Sequence, residues 1–344
     1  MQKIAIVGAS GYTGLELLRI LSHHPDVEIE CITSRQHKGR KVSDVFPALK
    51  KISDKTFIEL NNPAVLSNVS LVFVALPHSV SMTIIPNILE MDKKVIDLSA
   101  DFRLRDRDIY EQWYGKHLSP EFLEEAVYGL PELYREGIKQ KRLIANPGCY
   151  AAASILGLAP LIKEQLIEEE DIVIDAKSGV SGAGRVLSSD TSFVEVNEGF
   201  KAYKVGGHRH TPEIEQELSL LANKPVRLTF TPHLLPVTRG ILATIYATVK
   251  ENISYNSIRE CFEETYENEG FIRVLPPDNF PNIAYVRGSN YCDIGIRVDK
   301  RTGKAVIITD IDNLVKGAAG SAVQNMNIIY GFPEDLGLSA TVYP

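Results

Sequence analysis

The chain has 344 residues, 44% of them apolar and 24% charged, and a net charge of −7. That length makes about two domains with cores of their own, and the composition is that of an ordinary globular protein. The charge and the lack of a long Lys/Arg run exclude a nucleic-acid footprint, and no apolar stretch is long enough to span a bilayer.

Met1 runs almost directly into Lys3–Gly8, which leaves no room for a signal peptide. Cysteines at 31, 149, 261 and 292 form neither CxxC pairs nor a disulfide framework, so the expected setting is a reducing, cytoplasmic one. Residues 4–7 read as a short buried strand. The block GASGYTG (8–14) follows, then a helix through about Leu21. Strand, glycine turn and helix form the context of a dinucleotide fingerprint, here spaced GxxGxxG. Gly8 makes the tight turn, Gly11 lets backbone approach a pyrophosphate, and Gly14 lets helix pack on strand. The phosphates would meet the helix N-terminus across Ser10, Tyr12 and Thr13. A second strand, 27–33, ends at Thr33-Ser34-Arg35, where an NAD site usually carries Asp or Glu. A hydroxyl and a guanidinium suit a 2′-phosphate, so NADP(H) is the expected cofactor; a solvated basic loop is the competing reading.

Residues 71–76 form a continuous apolar run, as in a central parallel strand, ending in Pro77-His78-Ser79. A helix runs through about Leu89, a strand spans 95–99, and Arg103 beyond it is an anion-site candidate. Residues 106–140 look irregular. Alternating strands and helices up to about residue 148 predict a Rossmann-type, doubly wound parallel domain.

Leu143-Ile144-Ala145 closes a strand, Pro147-Gly148 turns the chain, and residues 149–159 read as a buried helix. Cys149 therefore falls at a helix N-terminus, where free N–H groups stabilise a thiolate; a buried structural cysteine is the alternative. After a strand at 172–176 comes the glycine-rich loop 177–185, with Ser181 and Gly182, able to close over a cofactor or substrate. Thr211-Pro212-Glu213 opens another helix, which leaves His208 and His210 in the loop ahead of it. Strands are expected at 226–231, 239–249, 271–275, 283–287, 291–298 and 304–310, and a core helix at 313–329. The second domain is therefore α+β with a mostly antiparallel sheet.

A nicotinamide site, a cysteine at a helix start and a loop histidine compose one chemistry. The thiolate attacks an activated acyl group, hydride reduces the thioester, and an aldehyde leaves while the histidine moves protons. An acyl phosphate fits, with Arg103 to hold its charge. His-x-His without further Cys/His ligands does not make a metal site.

At these residues the chain resembles the N-acetyl-γ-glutamyl-phosphate reductase family, relatives of aspartate-semialdehyde dehydrogenase. The blocks carrying the resemblance run nearly end to end: GASGYTG (8–14), TSR (33–35), ALPH (75–78), DLSADFRL (97–104), YGLPEL (128–133), NPGCY (146–150), SGVSGAGR (178–185), GHRHTPEI (207–214), TPHLLPVTRG (231–240) and DNLVKGAAG (312–320). The resemblance implies Cys149 as nucleophile, His208 as acid/base, and His210, Glu213 and Arg239 on the substrate side. It also implies Arg103 against the acyl phosphate and Asn313 near the nicotinamide. By the same token the NADP-binding domain is 1–148 with a returning segment 313–344, the catalytic domain is 149–312, and the assembly is a homodimer or homotetramer. The implied reaction is NADPH-dependent reduction of N-acetyl-γ-glutamyl phosphate. Rivals are reduction of aspartyl phosphate or of a carrier-bound aminoadipyl phosphate, and a non-catalytic NADP-binding redox sensor.

Overall fold

The computed structural model describes residues 1–50, 54–61, 63–186 and 188–338. The chain divides into two compact units, Met1–Pro147 with Ala318–Ala340, and Gly148–Gly317.

The first unit is a six-stranded sheet. Its strands are β1 Gln2–Val7, β2 Val27–Thr33, β3 Leu71–Val74, β4 Lys94–Asp97, β5 Ala126–Tyr128 and β6 Leu143–Ala145. Their order is β2-β1-β3-β4-β6-β5, and every pairing is parallel. Ile4, Ile6, Val72, Phe73, Ile96 and Ile144 are all fully buried, which is why these strands read as unbroken apolar runs rather than alternating ones. The helices are α1 Tyr12–Leu21, α2 Val42–Val45, α3 Ser81–Glu90, α4 Arg107–Tyr114 and α5 Pro131–Gln140. The segment expected to be irregular, 106–140, is thus mostly ordered. α4 is polar and buries only Tyr110, so its apolar periodicity is too thin to read; Asp106 starts it by accepting from the Asp108 and Ile109 N–H groups. β5 has three residues at the sheet edge, and α5 is kinked at Tyr134.

The second unit carries a seven-stranded mixed sheet: β7 Ile167–Gly179, β8 Lys201–Ala202, β9 Leu228–Leu235, β10 Ile241–Val249, β11 Ile272–Val274, β12 Cys292–Asp299 and β13 Lys304–Ile311. The order is β11-β12-β13-β10-β7-β9-β8; β11/β12 and β7/β9 are parallel and the other pairings antiparallel. Helices α6 Cys149–Lys163, α8 Thr211–Ala222 and α9 Tyr255–Tyr266 cover one face, while α7 Phe193–Val196 is a single turn. α6 is buried all round from Tyr150 to Ile162, and so lacks polar punctuation. The strands alternate: Ile241, Ala243, Ile245 and Ala247 face the helices, whereas Thr244 and Tyr246 face away.

The strand expected at 283–287 is a 3₁₀ turn, Ile283–Tyr285, because the Asn282 side chain takes the Ala284 N–H in place of a ladder bond. The helix expected over 313–329 begins as one wide π turn, Val315–Ala319, and continues as α10, Gly320–Tyr330, which packs on α1 and α5.

Candidate active site

In the first unit the candidate group is the β1–α1 turn. Gly8 has φ +87°, and a Cβ there would stand 2.3 Å from the Ala75 carbonyl oxygen. A Cβ on Gly14 would stand 2.5 Å from Ala9 Cα, so this glycine lets α1 press on the turn. Gly11 is the N-cap of α1, and a Cβ added there would meet nothing within 4 Å. That free space beside the first turn, where Tyr12 and Thr13 are half-buried, fits a dinucleotide pyrophosphate. Ser34 is buried and donates to the Ser10 hydroxyl at 2.9 Å, while Arg35 next to it is exposed. Lys38 is paired with Glu59. His78 lies at the end of β3 and accepts from the Ala100 N–H at 3.0 Å.

Arg103 is 6% exposed in the same unit. Its Nε donates to the Asn146 carbonyl at 2.7 Å and a terminal nitrogen to the Leu98 carbonyl at 3.1 Å. The side chain expected to hold a phosphate thus also grips the backbone three residues before Cys149.

In the second unit a candidate group is built on the start of α6. Cys149 is its first residue, partly buried, and Gly148 is the N-cap. The Gly148 N–H donates to Glu213 Oε1 at 2.8 Å, and Glu213, in the first turn of α8, is 1% exposed. A Cβ on Gly148 would stand 2.4 Å from His210 Nε2, so only glycine lets the imidazole lie on the turn. On the other side, a Cβ on Gly317 would stand 2.7 Å from Cys149 Cβ. The π turn delivers that glycine against the cysteine.

The rings of Tyr150, Tyr203, His208, His210 and Phe230 pack edge to face around this helix start, with centroids 4.8–6.0 Å apart. His208 Nδ1 accepts from the His210 N–H at 3.1 Å, so a neutral His208 carries its proton on Nε2. Burial, then the neighbouring His210, push the His208 pKa from 6.5 down to about 2. His208 is therefore neutral at physiological pH.

Asn313 and Arg239 lie in a second group of this unit. The Asn313 amide donates to Ser181 Oγ at 2.9 Å and accepts from Gly240 N–H at 2.8 Å, while Gly182 packs over it. Arg239 lies 3.4 Å from the buried carboxylate of Asp312. Cys149, His208, His210 and Glu213 thus come together around the start of α6, and Ser181, Gly182, Arg239 and Asn313 around the end of β13.

The comparisons with known proteins bear on both units. The description "Semialdehyde dehydrogenase, NAD binding domain" matches residues 3–141, and "Semialdehyde dehydrogenase, dimerisation domain" matches residues 149–313. The N-acetyl-gamma-glutamyl-phosphate reductase of Geotalea daltonii is 55% identical over 341 residues, 99% of each chain. That of Geobacter metallireducens is 56% identical over 339 residues, 98% of each. The chain belongs to the N-acetyl-gamma-glutamyl-phosphate reductase family. The fold is also that of aspartate semialdehyde dehydrogenase II from Vibrio cholerae complexed with ASA, at 20% identity, with a TM-score of 0.73 over 96% of this chain and 99% of that one. Aspartate semialdehyde dehydrogenase with NADP from Candida albicans gives 0.71 at 19% identity over 96% and 98%.

Within this reductase family member, sequence reading misses several groups at the site. The Tyr150 hydroxyl donates to the His233 carbonyl at 3.1 Å and accepts from the Tyr203 hydroxyl at 3.2 Å. Burial raises both phenols, Tyr203 to about 12. Tyr203 arrives through β8, a two-residue strand whose pairing to β9 no periodicity announces. The aromatic step Tyr150 directly after the cysteine was the one available signal.

Among the described residues no group of three or more His, Cys, Asp or Glu side chains could hold a metal, and no helix is long and apolar enough to cross a membrane.

Proposed function

We propose that this chain reduces N-acetyl-γ-glutamyl phosphate with NADPH, giving N-acetyl-L-glutamate 5-semialdehyde and phosphate, as a step of arginine biosynthesis. The observation that carries the proposal is identity of 55–56% over 98–99% of the chain to reductases of that name. The rival substrates, aspartyl phosphate and a carrier-bound aminoadipyl phosphate, have no comparable support. Aspartate semialdehyde dehydrogenases share the fold at 20% identity.

Cys149 is the nucleophile. Its thiolate, stabilised by the N–H groups of the first turn of α6, attacks the acyl carbon, and the carbon–oxygen bond to phosphate breaks. The product is a thioester on Cys149. NADPH, when bound, supplies the hydride that reduces this thioester. The resulting thiohemiacetal collapses to the aldehyde and restores the thiolate. His208, neutral with its proton on Nε2, is the acid/base group: it hydrogen-bonds the thiohemiacetal oxygen as negative charge forms there, and it gives up a proton only after taking one up as imidazolium. His210, Glu213 and Arg239 recognise the substrate, and Arg103 attracts the phosphoryl group.

Gly8, Ser10, Gly11, Tyr12, Thr13 and Gly14 hold the pyrophosphate, and Ser34 and Arg35 the 2′-phosphate. Ser181, Gly182 and Asn313 serve the nicotinamide side. The enzyme works in the cytoplasm as a homodimer or homotetramer. The match of residues 149–313 to a dimerisation domain supports assembly, as does the sheet face that leaves Val173 and Tyr246 exposed.

The test is phosphate-dependent reduction of NADP⁺ by N-acetylglutamate semialdehyde, for wild type and Cys149→Ala, with aspartate semialdehyde in competition. Turnover of the acetylated aldehyde that vanishes in the variant supports substrate and nucleophile together. Turnover of aspartate semialdehyde alone moves the chain to the sister activity. Tight dinucleotide binding with no turnover of either supports the carrier-bound substrate or the sensor.

A further inference from the structure

The catalytic turn hangs from Asn146, three residues before Cys149, and every polar group of Asn146 is in use. Its N–H donates to the Asp97 carbonyl at 2.8 Å, and its carbonyl accepts from Arg103 at 2.7 Å. Its side-chain Nδ2 donates to the Ala318 carbonyl at 3.1 Å, and its Oδ1 accepts from Asn325 Nδ2 at 3.2 Å. Asn325 lies on α10 and is fully buried; the same Nδ2 also donates to the Gly129 carbonyl at 2.8 Å.

The chain passes between its two units at 147/148 and at 317/318. Asn146 ties these crossings together within the first unit through Ala318. Within the second unit Cys149 is packed on Gly317. Asn325 orients the amide that makes the first of these ties. Its own Oδ1 has no hydrogen-bond partner among the described residues. A buried acceptor left so is costly, and an apolar side chain of the same size would not incur that cost. The chain nevertheless carries an amide at 325, and its two donations are what an apolar residue lacks.

We infer that Asn325 is a positioning residue for the reductase reaction: by orienting Asn146 it sets the direction in which Pro147-Gly148 deliver Cys149 to the start of α6. The inference rests on Cys149 being the nucleophile. Pro147 has a fixed φ and Gly148 is covered by His210, so a tilt of the Asn146 peptide passes along the turn instead of being absorbed. A thiolate displaced from the first-turn N–H groups loses its stabilisation, which falls off within one turn.

The experiment uses the full-length enzyme with Asn325→Leu and the milder Asn325→Ser. The reverse reaction gives kcat and KM. Iodoacetamide alkylation of Cys149 against pH reports the thiol, and dinucleotide affinity and thermal melting are followed in parallel. Expected are a kcat lowered on the order of tenfold or more, as for a nucleophile misplaced by less than an ångström, an alkylation midpoint moved to higher pH, and unchanged dinucleotide affinity. Combining Asn325→Ser with Asn146→Ser should cost no more than the worse single change, because the two amides act as one unit. A folded Asn325→Ser that melts lower but keeps the wild-type kcat and alkylation profile overturns the inference. Loss of fold in both variants also overturns it, since the amide then serves only the core. Wild-type turnover in Cys149→Ser would instead remove the nucleophile reading, whatever the 325 variants do.

Discussion

Two turns in this molecule share one local plan. Each follows a parallel strand of the first sheet, passes through glycine and opens a helix: β1 to α1 through Gly8–Gly11, and β6 to α6 through Pro147-Gly148. Each leaves first-turn N–H groups able to meet negative charge. What surrounds the N-cap glycine separates them. A Cβ on Gly11 would meet nothing within 4 Å, whereas one on Gly148 would meet the His210 ring, and the Gly148 N–H is tied to Glu213. The open helix end has room for an anion that comes and goes. The covered one carries Cys149 as its first residue, the position proposed for the nucleophile. On the proposed function, what covers the cap separates a helix end that binds an anion from one that seats a nucleophile.

Adding one methyl group at a time breaks or sharpens this contrast. Gly8→Ala should have the largest effect: its Cβ would meet the Ala75 carbonyl at 2.3 Å with φ +87°, a clash with backbone on top of conformational strain. We expect a variant that does not accumulate folded, or that melts far below wild type in calorimetry. Gly148→Ala should come next. Its Cβ would displace the His210 ring from 2.4 Å, and kcat should fall on the order of 100-fold while NADPH affinity, measured by fluorescence titration, stays that of wild type. A Gly148→Ala enzyme with normal kcat would mean that the cover on this cap is without consequence.

Gly11→Ala should leave melting unchanged, because its Cβ enters open space. It should weaken NADP(H) by roughly tenfold, as steric loss of close backbone approach to a phosphate does. Equal loss of melting temperature and affinity would show that this glycine serves the fold instead.

At His208 the expected effect is a pH dependence of stability. Its folded pKa lies near 2, below the 6.5 of the unfolded chain, so below pH 6.5 the unfolded state binds a proton that the folded state refuses. Stability is therefore complete above pH 6.5 and falls as the solution is acidified. The cost is about 1.4 kcal/mol per pH unit, or about 2 kcal/mol by pH 5. His208→Gln should flatten the denaturant-measured stability between pH 7 and 5 relative to wild type. A parallel pH dependence in the two proteins would place that sensitivity elsewhere.

Both turns were legible in the residues themselves. Glycine spacing, an apolar strand before and a helical run after are local signals, and the local physics of φ and capping is what they report. Legibility failed where the signal was thin or remote. α4 and β5 have too little apolar periodicity to stand out from a loop, and the apolar residues at 283–286 gave no ladder because Asn282 turned the chain. The aromatic and histidine groups around Cys149 come from residues 150, 203, 208, 210 and 230, and only the histidine loop and Tyr150, inside NPGCY, fall in a motif.

By itself the sequence determined a parallel nucleotide-binding unit, a second unit with long alternating strands, and a cysteine placed on a helix start. These follow from periodicity, glycine and proline, which act over a few residues. Only the tertiary structure decided that Arg103 grips the Asn146 carbonyl, that His208 is buried enough to stay neutral, that Gly317 packs on Cys149, and that an amide 176 residues beyond the cysteine completes the support of its turn. Such contacts join residues far apart in the chain, and burial and hydrogen-bond geometry exist only once those distant segments are packed.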